Sequence, residues 1–171
     1  MEKTNQFKTQ VRRVNRTALL IGGGLLALLS SFLRIFGGSP HTAIHAVGAE
    51  QIIPPVWLVG LLGLCATFLL GAAAGIVFSD TCGGNARAVW RFRGGMYFIL
   101  AVVMVAGWYL LLFRALSLWL SLLLLLLGLA TGIVCTICWA RVKLLSCFMS
   151  GVFCLWVLWV FILQLAAVLQ A

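Results

Sequence analysis

Three groups of residues in this sequence have types and spacings that could do chemistry. Cys135 and Cys138 form a C-x-x-C pair, the spacing of redox dithiols and of half a zinc site. The other cysteines, Cys65, Cys82, Cys147 and Cys154, supply no second pair at that spacing. The pair also lies inside a long apolar run, where free cysteine serves as a small apolar side chain. It therefore reads as structural. His41 and His45 stand four apart, so on a helix they would share a face and could hold a metal or the edge of a haem. Only Glu50 lies close by in sequence as a further ligand, short of a full coordination set, and no metal site is assigned. The third group is tryptophan, at positions 57, 90, 108, 119, 139, 156 and 159. Indole rings inside a helical bundle can grip a flat apolar ligand by stacking.

Other chemistries lose ground on composition. Glu2, Glu50 and Asp80 are the only acidic residues, and none lies deep in an apolar run. Ion-coupled transport and proton pumping draw on intramembrane carboxylates or histidines, and a membrane hydrolase needs a nucleophile beside a base. Nucleic-acid binding needs a folded basic face, whereas the cations here fall in short separated segments. No nucleic-acid partner is expected.

The elements that must position these residues follow from composition. Of 171 residues, 64% are hydrophobic and 9% charged, against roughly a quarter charged in a soluble domain. The bilayer is the expected solvent. About 20 apolar residues cross one hydrocarbon core, which predicts spans at residues 17–36, 54–79, 95–113, 117–140 and 144–169. Arg114 breaks the long run over residues 94–140 near its middle, and a turn there spares a cation the bilayer centre. Charge supports five. With the N-terminus inside, Lys3, Lys8, Arg12, Arg13, Arg16, Arg87, Arg91, Arg93, Arg141 and Lys143 lie inside, and only Arg34 and Arg114 outside. That is the positive-inside pattern. The net charge of +9 is accounted for by this orientation and by anionic headgroups. The expectation is an all-α integral membrane protein, a single domain over residues 1–171 folded as a five-transmembrane-helix bundle.

Within the spans, Gly71-x-x-x-Gly75 and Gly128-x-x-x-Gly132 are small-residue patterns that let helices approach closely. They suit packing inside the bundle or in a homodimer. Residues 79–94 are expected to form the inner loop between the second and third spans, with Gly-Gly-Asn as a turn. Trp90 and Trp139 are expected to be interfacial anchors. An odd span count and the lack of an inverted repeat argue against two equal transporter halves.

One stretch narrows the reading further. "AEQIIPPVWLVG", residues 49–60, places Pro54, Pro55 and Trp57 at the mouth of the second span, where proline suits a helix's first turn. Gly60 and Gly71 follow in register. "GMYFILAVVMVAGWYLLLFRALSLW", residues 95–119, and "LLSCFMSGVFCLWVLWVF", residues 144–161, complete a pattern that resembles the tryptophan-rich sensory protein and translocator protein (TspO) family, also called the peripheral benzodiazepine receptor family. The resemblance covers about residues 17–165. Ile52 and Gly63 stand where that family has tryptophans, Met104 or Val105 where it has an asparagine, and Cys147-Phe148 where a Pro-Tyr pair is common.

The resemblance implies a non-enzymatic membrane receptor or carrier, without a resident cofactor, for a flat hydrophobic ligand such as a porphyrin, haem or sterol. It places Pro54, Pro55, Trp57, Trp108, Trp156 and Trp159 around the ligand. Trp156 and Trp159 stand three apart, on neighbouring faces of a helix, so only one of them is expected to point inward. Gly63 in place of a tryptophan implies binding with little breakdown of the ligand under light. A bacterial cytoplasmic membrane is the expected location, with the C-terminus outside. The alternative is a structural or accessory membrane subunit whose tryptophans only anchor and pack.

Overall fold

Backbone N–H and C=O groups find no water in a bilayer core, so apolar runs of this length satisfy them internally as helices. The structure, a computed structural model, describes residues 15–37, 56–79, 85–113 and 117–170. Among these residues the chain forms five helices: α1 (Arg16–Gly37), α2 (Val56–Ser79), α3 (Asn85–Phe113), α4 (Leu118–Ala140) and α5 (Leu144–Gln170). Each is long and apolar enough to cross a membrane, and the protein is a multi-pass integral membrane protein. Exposed leucine, isoleucine and phenylalanine side chains cover its outer surface on every helix, as a lipid-facing surface requires.

Neighbouring helices run antiparallel. Ala18 near the start of α1 lies against Gly75 near the end of α2, and Gly94 of α3 against Trp139 at the end of α4. One end of the bundle therefore gathers the start of α1, the end of α2, the start of α3 and the α4–α5 turn, with Arg16, Arg87, Arg91, Arg93, Arg141 and Lys143. It is the basic end. Around the bundle, α1 packs on α2, α2 on α5, α5 on α4 and α4 on α3, while α1 and α3 meet only lightly. The core lies where α2, α3, α4 and α5 converge, around Leu70, Val77, Leu125, Trp139, Phe153 and Val157.

Helix boundaries differ from expectation at α3. It begins at Asn85, so "NARAVWRFRG" is a helical extension of the third span rather than a loop. Ala and Arg favour helix, and the Gly94-Gly95 pair does not break it because both glycines are points of close approach. A Cβ on Gly94 would collide with the Trp139 indole, and one on Gly95 would lie 2.8 Å from the Phe78 ring. Trp139 is correspondingly fully buried, with its ring centroid 5.6 Å from that of Phe98. It is a core residue, not an interfacial anchor. The α4–α5 turn is tight: the N–H groups of Val142 and Lys143 both donate to the Trp139 carbonyl at 2.9 Å.

Candidate functional site

The site is built by four helices that each contribute one face. Leu26, Leu29, Ser30 and Leu33 of α1 recur at helical spacing, as do Val102, Val105, Ala106 and Tyr109 of α3. Thr67 and Leu70 of α2 with Phe153 and Trp156 of α5 form the back wall of the cleft that these residues enclose. The α1 and α3 residues that line it belong to the helix pair that meets only lightly. Its volume is about 40 Å³, and one water needs roughly 10–15 Å³ of such space, so the cleft has room for a few waters or a short apolar chain. A tetrapyrrole would need α1 to swing away from α3.

The cleft is apolar with a few polar groups. The Thr67 hydroxyl donates back to the Gly63 carbonyl at 2.8 Å, which leaves its oxygen lone pairs to accept. Trp156 is nearly buried, and its indole N–H has no hydrogen-bond partner. Buried indole N–H groups usually have one. An acceptor on a guest, such as a ketone, ester or carboxylate oxygen, would satisfy it. The ring itself is held by an edge-to-face contact with Trp108 (centroids 6.4 Å apart, 79° between planes) and by Phe153 at 6.0 Å.

Trp108 faces a different task. Its N–H donates to Gln164 Oε1 at 2.7 Å. Gln164 Nε2 in turn donates to Ser121 Oγ at 2.6 Å and to the Leu118 carbonyl at 3.1 Å. The Ser121 hydroxyl donates to the same carbonyl at 2.9 Å. This network ties α3, α4 and α5 together at the end opposite the basic one. Sequence reasoning missed Gln164. Its signal was a single carboxamide within an apolar run, and intramembrane polar residues generally have specific partners.

The structure scatters the other expected residues. Trp57 is 69% exposed and does not line the cleft. Trp159 is half-buried against the core, three positions from Trp156 but less enclosed. Pro54, Pro55, His41, His45 and Cys82 lie outside the described residues. Gly71 and Gly75 meet α1 inside the bundle: a Cβ on either would collide with the Gly22 or Ala18 carbonyl. Gly128 faces Val105 of α3 at 3.2 Å and Gly132 faces Cys154 of α5 at 3.1 Å, measured from a Cβ built on each. Cys135 and Cys138 are buried and unbridged. No group of three potential metal ligands occurs among the described residues.

A scan against protein-family models and comparisons with curated proteins and with solved structures returned no match.

Proposed function

We propose that the protein is a non-enzymatic membrane receptor or carrier that takes a flat hydrophobic ligand, of porphyrin or sterol type, into the cleft between α1 and α3. The observation that supports this reading most directly is Trp156: a nearly buried indole lining an apolar cleft, with an N–H that lacks a partner. The light contact between α1 and α3 supplies a route by which a ligand dissolved in the bilayer enters sideways. In this reading α1 is the moving wall, the N-terminus lies inside a bacterial cytoplasmic membrane and the C-terminus outside.

A titration of the purified full-length protein with protoporphyrin, read by tryptophan quenching, tests it. Trp156→Phe keeps the ring and removes the N–H, and should weaken binding several-fold, since a hydrogen bond contributes on the order of 1 kcal/mol. Ala106→Trp should block the cleft and abolish binding. Trp119→Phe, at an exposed position, should leave affinity unchanged. Equal affinity in all three variants would remove the cleft reading.

The second reading, a structural or accessory subunit, is favoured by the Trp108–Gln164 hydrogen bond. That bond gives Trp108 a packing role with no ligand. Absence of saturable porphyrin or sterol binding by the wild-type protein would decide for it.

A further inference from the structure

At the basic end, two cations share one aromatic ring. The Arg93 guanidinium carbon lies 5.8 Å from the Trp90 ring centroid, and that of Arg141 lies 5.2 Å from it. We propose that Arg93, Trp90 and Arg141 form a binding site for the phosphate of an anionic phospholipid headgroup. Trp90 is half-buried against the core, so the ring is a fixed platform, while both arginines are exposed. Each guanidinium gains from the ring face, the two like charges near one ring repel, and an anion bound beside them offsets that repulsion. The described residues include no carboxylate, because Glu2, Glu50 and Asp80 all lie outside them. The first turns of α3 and α5 carry no acidic residue either. A phosphodiester matches the flat donor fork of arginine, which forms paired hydrogen bonds to phosphate oxygens.

Position selects a lipid over free phosphate. Arg141 caps the end of α4, and Arg93 precedes Gly94, which presses on Trp139 of that same last turn. The pair therefore sits at the level where α4 leaves the apolar layer. Met96 and Tyr97 lie one turn further along α3 on the face of Arg93 and are exposed, and Phe148 is exposed on the first turns of α5. Acyl chains have an apolar surface directly beneath the charged pair. A headgroup there joins α3 to the α4–α5 turn.

Native mass spectrometry of the full-length protein in detergent, titrated with phosphatidylglycerol, phosphatidylcholine or inorganic phosphate, tests the site. Phosphatidylglycerol should bind the wild type about tenfold more tightly than it binds the Arg93→Gln/Arg141→Gln double variant, and more tightly than phosphatidylcholine. Arg87→Gln, which removes another exposed cation at the same end, should change affinity less than twofold. The Arg93→Lys/Arg141→Lys variant keeps charge and loses the fork, so it should bind more weakly than wild type; it carries the comparison if the glutamine variant fails to fold. The proposal is overturned if Arg87→Gln loses as much affinity as the double variant, or if phosphatidylcholine binds equally well. It is also overturned if millimolar phosphate displaces the lipid, which marks a free-anion site, or if Asp80→Asn tightens lipid binding tenfold, which assigns the arginines to Asp80.

Discussion

Gln164 shows how much one polar side chain can organise in an apolar bundle. Its amide satisfies Trp108 on α3 and engages Ser121 and the Leu118 carbonyl on α4, and in lipid none of these groups has water as a substitute. Gln164→Leu would leave the Trp108 N–H without this acceptor. A loss of about 1–3 kcal/mol is expected, read as a lower midpoint in thermal or denaturant unfolding in detergent. Ser146 is the contrasting residue: its hydroxyl is fully buried with no hydrogen-bond partner. Ser146→Ala is expected to leave the midpoint unchanged or raise it, because it removes an unsatisfied group rather than a bond. Trp139 is expected to be far less tolerant. Truncation to alanine removes a fully buried indole, and large-to-small changes of that kind destabilise by about 3–5 kcal/mol. An interfacial anchor would tolerate the same change, so one melting curve separates the two roles.

Glycines decide how the elements meet. Gly22 of α1 and Gly71 and Gly75 of α2 face one another so closely that a Cβ on any of them would collide with backbone of the other helix. With no hydrophobic driving force between helices in lipid, such close approach is what holds α1 to the bundle. Gly71→Leu or Gly75→Leu should detach α1, measured as loss of a disulfide cross-link between cysteines introduced at Ala18 and Ala74 in a background free of other cysteines. Gly24 has nothing within 4 Å of a built Cβ. Gly24→Ala should leave the cross-link intact and stabilise α1 by up to about 1 kcal/mol through helix propensity. If all three variants cross-link like the parent, the α1–α2 contact does not depend on these glycines. The motif Gly71-x-x-x-Gly75 was legible as a close contact, but its partner was not. A small-residue pattern states that something approaches closely and leaves open whether that is a neighbouring helix or a second copy.

At the scale of the molecule, the charge distribution makes a testable statement about orientation. Reporter fusions after Gly38 and at the C-terminus are expected outside the membrane and a fusion after Gly84 inside, from the Lys/Arg bias alone. A C-terminal reporter found inside would contradict the five-span orientation. Helix number, span positions and the apolar exterior depend on run length and composition, which are local and additive properties, so the sequence by itself determined them. The start of α3 differs from expectation because Arg87, Arg91 and Arg93 end the apolar run ahead of residue 95, whereas the helix itself continues through Gly94 and Gly95, where it meets Trp139 and Phe78. The tryptophans divide in the same way. Composition shows that there are seven, but Trp57 facing outward, Trp108 bonded to Gln164 and Trp156 lining the cleft are outcomes of helix rotation. These runs are apolar all round, so hydrophobic periodicity has little to say about which face turns inward. Only the packing of all five helices against one another decided that, because close contact and hydrogen bonding between helices are the forces in lipid that distinguish one rotation from another.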